Sequence, residues 1–238
     1  MINKMNNDIT CRVTGSLNIL IKPISKDIDL NQPLYAINWF STKMEWLYHF
    51  YNFVASRSVA KIGGAAFFKG KITETLIDEA NTQRELLLIV KYPGGKSFKA
   101  LMELAFFKVV SILRVLAVKR FTFGFTQMRM VDMTSTKDDS LEYLLHHFKS
   151  VDKGVDFAKK LGLITPVSVN VKYAGQMVAN LYSQQKSEEA ESILNLMDGV
   201  IIYESKSKEL LSDMVKSKDY SDVMKQLESS YIGFMDRI

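Results

Sequence analysis

The chain has 238 residues, 47% hydrophobic and 24% charged, a balance that places it among globular proteins with apolar material for one large core or two modest ones. Its 31 lysines and arginines exceed its 26 aspartates and glutamates by a net charge of +5, and along the sequence that excess reads as scattered, so no nucleic-acid partner is expected. A single cysteine, Cys11, excludes an intrachain disulfide and fits a reducing compartment.

Residues 1–9 are polar with no apolar core of signal-peptide length, so a cytoplasmic location is expected. Residues 1–32 form an N-terminal extension with short strands at Cys11–Val13 and Leu17–Ile21. Leu34–Phe40 reads as a strand by its aromatic and β-branched content. Ser41 or Thr42 is placed to cap a helix with Trp46, Leu47, Phe50 and Tyr51 at helical spacing, and Gly63-Gly64 ends it. Strands follow at Ala65–Ile77 and Glu85–Tyr92. Pro93-Gly94-Gly95 then turns the chain into a long helix capped by Ser97, and Phe121–Thr126 closes a β-α-β-β-α-β unit spanning residues 33–130.

Leu101–Val118 is the most hydrophobic stretch, but Glu103, Lys108 and Arg114 interrupt it, each costing about 2.5 to 3.5 kcal/mol at membrane depth, so no membrane partner is expected. Its apolar residues, among them Phe106, Phe107, Val109, Val110, Ile112 and Leu113, cannot share one face, so something besides its own sheet must cover it.

Beyond a polar linker at 131–140, residues 141–238 follow the same order less cleanly. Strand 141–148, a short helix at 151–161 and a long strand at 167–181, broken at Gly175, come first. An inserted segment of helical composition, 186–197, precedes strand 200–204, helix 208–229 and a last strand at Tyr231–Phe234. Shifted by 112 positions, Leu88-Ile89-Val90 falls on Val200-Ile201-Ile202, Lys96 on Lys208 and Met102 on Met214. The pattern predicts an internal duplication. The alternative is one such unit followed by an irregular α-rich tail.

Residues 33–128 resemble the dimeric α/β-barrel superfamily, and within it a family of small bacterial proteins of uncharacterised domain type. The resemblance rests on Leu34–Phe40 with Asn38 late in strand 1, on Tyr48 and Tyr51 in helix 1, on Gly63-Gly64, and on Leu87–Met102 with its Tyr-Pro turn at Tyr92. It implies an α+β fold of two tandem ferredoxin-like units forming a pseudo-dimer, four-stranded sheets face to face, with Phe121, Phe123 and Phe125 turned into the barrel. Whole chains are also expected to pair as a homodimer through the oily 98–118 helix.

Members of that superfamily include cofactor-free monooxygenases, isomerases and haem enzymes, with ligands held between sheet and helices. The resemblance therefore implies a small apolar or aromatic ligand and a cofactor-independent monooxygenase or isomerase, with no cofactor. Asn38, Tyr51 and Tyr92 are the candidate ligand-binding residues, since an amide and a phenol orient a carbonyl or enol without titrating near neutral pH. A non-catalytic interaction protein with a filled barrel is the rival reading. No catalytic residue is assigned. His49, His146 and His147 show no metal-ligand spacing, and the adjacent pair on a strand points to opposite faces. Gly95-Lys96-Ser97 lacks the first glycine of a phosphate loop, which leaves a helix-start turn. Aromatic residues of Arg120–Phe125 fall on strand 4, whereas RNA-stacking aromatics belong on strand 3.

Overall fold

The computed structural model describes residues 12–13, 17–23, 31–79, 83–131, 140–152, 155–183 and 198–238. Cys11, nearly all of the linker and the 186–197 segment lie outside the described residues. In the first half, β1 (Arg12–Val13) and β2 (Leu17–Pro23) precede β3 (Leu34–Thr42), α1 (Glu45–Lys61), β4 (Ala65–Asp78), β5 (Leu86–Tyr92), α2 (Gly95–Glu103), α3 (Ala105–Ala117) and β6 (Val118–Val131). The second half contributes β7 (Glu142–Ser150), α4 (Phe157–Leu163), β8 (Asn170–Ser183), β9 (Gly199–Ser205), α5 (Lys208–Lys216), α6 (Lys218–Met224) and β10 (Leu227–Arg237).

Eight strands in the order β8-β6-β3-β5-β4-β10-β7-β9 form an antiparallel sheet that closes on itself through a β8–β9 pairing. The result is an α+β fold, an eight-stranded barrel with six helices among the described residues. Closure pairs both sides of each strand within the barrel, and the far end of β8 runs past its β9 partner. β2 lies along the far end of β8, Ile19 opposite Ser183, and β1 pairs with β2.

Because side chains alternate along a strand, every barrel strand presents one set inward and one outward. On β3 the inward set is Tyr35, Ile37 and Trp39, which join Phe68, Leu87, Ile89, Leu145, Tyr173, Met177 and Tyr231 in a packed interior. Trp39 sits at its centre, its ring 4.6 Å from His147 and 4.8 Å from Tyr231. Phe121, Phe123 and Phe125 are not part of it. They face outward with Tyr92 and Phe98 beneath α2 and α3, and Thr122, Gly124 and Thr126 take the inward positions. There is no room inside for that aromatic row beside Tyr35 and Tyr173, whose rings lie 5.2 Å apart, and the Tyr173 hydroxyl instead bonds Thr126. Gly175 does not break β8. Its bare Cα accommodates the Tyr173 side chain and the strand runs through.

The helix boundaries differ from expectation for local reasons. Neither Ser41 nor Thr42 caps α1, because both stay in β3 and bond Glu85. The Thr42 amide and hydroxyl each donate to its carboxylate at 3.1 Å, and Ser41 Oγ accepts its amide. Ser97 lies inside the first turn of α2 and makes no cap. The helix expected as continuous after it is interrupted at Leu104, and the one in the second half at Ser217, each in extended conformation. Ser217 pays back the interruption by accepting the Tyr220 amide at 3.3 Å. At the end of α1, Gly63 takes φ +76°, and the amides of Gly63 and Gly64 bond the carbonyls of Ala60 and Val59 in a Schellman turn.

The adjacent histidines of β7 do point to opposite faces. His147 lies inside against Trp39, while His146 lies under α6, between Tyr220 Oη at 2.7 Å and Ser230 Oγ at 3.2 Å. Burial pushes both imidazoles down to about 3, and the neighbouring His147 lowers His146 further. The unfolded chain therefore binds protons near pH 6.5 that the folded chain refuses. Their contribution to stability is complete above that pH and is lost as pH falls toward 3. Urea unfolding at pH 7 and pH 5 is expected to show a loss of about 2 kcal/mol per histidine. His147→Phe should remove roughly half of that pH dependence, and an unaltered dependence would show that His147 titrates normally in the fold.

Candidate functional site

The outward face of β3, β4, β5 and β6 meets α1, α2 and α3 around a cavity of about 550 Å³. Period-two alternation decides its floor. Asn38 shares parity with Ala36 and Phe40 on β3, Leu88 and Val90 with Tyr92 on β5, and Phe121 with Phe123 on β6. Its roof comes from Tyr51, Ala55 and Val59 of α1 and from Phe98, Phe107 and Arg114 of the helices opposite. The space exists because small residues, Ala55, Ser56, Ala60, Gly64, Ala65 and Ala66, stand where α1 and β4 meet. In the second half the equivalent layer is filled by Phe148, Phe157, Leu161, Tyr203, Leu211 and Tyr220.

All three residues singled out in the sequence, Asn38, Tyr51 and Tyr92, line this one cavity. The Asn38 amide nitrogen donates to the carbonyls of Leu88 at 3.1 Å and Ala36 at 3.3 Å, which fixes the side chain and leaves Oδ1 as its available acceptor. Burial raises the phenols of both Tyr51 and Tyr92, and Arg114 partly offsets this for each. They are therefore neutral donors across the ordinary pH range. His49 is exposed on α1 beside Glu45, 3.7 Å away, and none of the three histidines reaches the cavity.

The residues not foreseen are the cations. Arg57, Lys69, Arg114, Lys119 and Arg120 line the cavity, and no aspartate or glutamate does. Arg114 stands 4.5 Å from the Phe121 ring and Lys69 5.4 Å from that of Tyr48, so each charge rests on an aromatic face. Arg120 is held at φ +51°, at a bulge where β6 gains a residue against β3. Backbone strain of this kind costs about 1 to 3 kcal/mol and re-aims a side chain. Burial lowers the Lys69 amine, and Glu45 raises it by a smaller amount. Arg114 was visible in the sequence as a charge breaking an oily helix; the left-handed turn at Arg120 has no such signal.

The lining includes no imidazole, thiol or carboxylate, and among the described residues no three His, Cys, Asp or Glu side chains cluster as metal ligands. The arrangement suits an apolar, flat molecule with one anionic end. Aromatic walls hold the body, Tyr51 and Tyr92 donate, Asn38 accepts, and the guanidinium and ammonium groups meet the charge.

No protein-family model and no curated protein matches the chain. Solved structures do resemble it in fold. A candidate monooxygenase from Fusobacterium nucleatum subsp. nucleatum ATCC 25586 superposes with a TM-score of 0.54 at 11% identity, over 88% of this chain and 94% of that one. An anthrone oxidase-like protein gives 0.50 at 11% identity, over 92% and 94%. A candidate monooxygenase from Lactobacillus acidophilus NCFM gives 0.49 at 10% identity, over 87% and 94%. At such identities the likeness is one of fold alone, and that fold is the barrel of the dimeric α/β-barrel proteins.

Proposed function

We propose that the chain binds a small aromatic molecule with an anionic oxygen in the cavity under α1 and α3, and acts on it as a cofactor-independent oxygenase or isomerase. The observation that carries this reading is the lining itself, an aromatic floor edged by five cations with no carboxylate. Lys69 supplies the chemistry. A half-buried amine with a lowered pKa removes a proton from a carbon beside a carbonyl, and the resulting enolate is held by the neighbouring cations. Returning that proton at another carbon is isomerisation. In oxygenation the enolate carbon gives its electrons to dioxygen and forms a carbon-bound peroxide, which takes the proton back from Lys69; loss of water, with the second hydrogen of that carbon, leaves a carbonyl, so the substrate supplies all the electrons. One fold neighbour is named a candidate monooxygenase and another anthrone oxidase-like.

In this reading the chain is two ferredoxin-like units, 33–130 and 141–238, joined by 131–140 and preceded by the 1–32 extension. Among the described residues each half has the element order β-α-β-β-α-β, the second helix in two pieces, with sheet orders β6-β3-β5-β4 and β10-β7-β9-β8. The second unit has given up its pocket to Phe148, Tyr203 and Tyr220. The rival reading, a non-catalytic interaction protein, is favoured by the packed aromatic barrel interior, which confines ligand chemistry to the outer cavity of the first half.

Titration with 2-naphthoate and with its neutral counterpart 2-naphthylmethanol tests the binding step. The acid is expected to bind about tenfold more tightly or better, and Arg114→Leu should erase that preference while the alcohol still binds. Equal affinities in the native protein would overturn the anion reading. Turnover is expected to rise with pH toward the lowered pKa of Lys69, because the neutral amine is the base. Glu45→Gln, which removes a group that raises that pKa, should move the rising limb to lower pH, and Lys69→Met should cost about 10²- to 10⁴-fold in rate.

A further inference from the structure

We infer that the outer face of α1 and α3 is a docking surface for anionic lipid membranes. On α1, Trp46, Phe50 and Phe53 stand at i, i+4 and i+7 and form one stripe. On α3, Phe106, Val109, Ile112 and Leu116 form a second. All seven side chains are 52% to 70% exposed. The helices pack on one another over the sheet and turn their other faces, Leu47, Tyr48, Ala55 and Val110, inward. A contiguous apolar face of this kind on a globular protein marks an interaction site. No described helix is long and apolar enough to cross a membrane, so the mode is adsorption along the helices and not insertion through the bilayer.

Charge identifies the partner. The net charge that reads as scattered in the sequence is gathered by the fold. Segments 43–61 and 95–120, which contain these helices, hold nine lysines and arginines against Glu45 and Glu103, a net +7 in a chain of +5, so the remainder is −2. All nine are exposed except Arg114. Arg57 lies 4.3 Å from the Phe53 ring, at the edge of the apolar stripe. Aromatic residues flanked by basic ones match the interface of a bilayer rich in acidic headgroups. A second copy of the chain fits less well, since a two-fold interface would set like-charged surfaces against one another. The second half provides an internal comparison. Its segments 156–163 and 207–225 hold six basic and five acidic residues, and on α4 to α6 the exposed large apolar side chains are Leu163 and Leu210. The same helical layer built on the same barrel thus carries the stripe and the charge on one side only.

The test uses the full chain and vesicles of phosphatidylcholine with or without 30 mol% phosphatidylglycerol, a composition chosen for the assay. Of the two tryptophans, Trp39 is fully buried and Trp46 largely exposed, so a change in emission reports Trp46. Acidic vesicles are expected to shift the emission to the blue and to sediment the protein, with binding that weakens as salt rises. Neutral vesicles should bind at least tenfold more weakly. Phe50→Ser with Phe53→Ser should lower partition by about tenfold or more, and Lys43→Glu with Lys108→Glu by about fivefold per charge. Circular dichroism of each variant checks that the fold is kept. The proposal is overturned by equal binding to neutral and acidic vesicles or by absence of binding. It is equally overturned by a stable dimer in which Trp46 emission is already blue-shifted without lipid and reddens in the Phe50→Ser, Phe53→Ser variant.

Discussion

A closed sheet has two faces and no edge, and everything else in this molecule follows from how those faces are filled. Inward positions on seven of the eight strands supply bulky side chains, with Trp39 between His147 and Tyr231 at the centre. Burial at about 25 cal/mol per Å² makes that interior a large store of stability. Its side chains pack the barrel interior. The cavity lies instead on the outer face, where helices cover the sheet and the fit is less complete. The two halves then diverge on that face. One packs Phe148, Tyr203 and Tyr220 beneath its helices, and the other places alanine, serine and glycine there and keeps a cavity.

Much of this was legible in the sequence, and the limits are instructive. The strands at Leu34, Leu86 and Gly199 announce themselves by dense β-branched and aromatic content, and the order of elements around them follows from turn and helix signals. Asn38, Tyr51 and Tyr92 line one cavity because alternation from a known strand fixes the parity of Asn38, and the end of β5 fixes Tyr92. Alternation does not say which parity is inside. For Phe121, Phe123 and Phe125 the choice depends on what already occupies the barrel, a property of partners far away in the chain. The breaks at Leu104 and Ser217 were equally hidden, since neither residue is a helix breaker by type and the interruption serves to fold two short helices over a curved surface.

The charges illustrate a different limit. A lysine's place in the sequence says little about the field it contributes to, because the field belongs to the folded surface. Nine basic residues spread over 78 positions fall on or beside the helices that cover the first half of the sheet, with Glu45 and Glu103 the only acidic residues of segments 43–61 and 95–120. That segregation serves two ends. Arg57, Lys69, Arg114, Lys119 and Arg120 line the cavity, Lys69 and Arg114 with reduced solvent that strengthens their interactions, while Lys43, Lys61 and Lys108 stay in water, where salt screens them.

These two sets of charges share their supports, and this couples the two proposals physically. Tyr51 and Ala55 face the cavity from the same α1 that turns Trp46, Phe50 and Phe53 outward, and Arg114 and Ser111 do so from the α3 that exposes Val109 and Ile112. A helix is stiff over this length, so a tilt that seats the outer stripe must also move the inner lining. An apolar acid concentrates in a bilayer, where its body is buried and its charge stays at the headgroups, an arrangement that the cavity reproduces with aromatic walls and a basic edge. Adsorption through the outer stripe would place that cavity beside the phase in which such a ligand is most abundant. The exposed aromatic face and the cation-lined pocket then need no separate explanations, because one pair of helices presents both to the same surface.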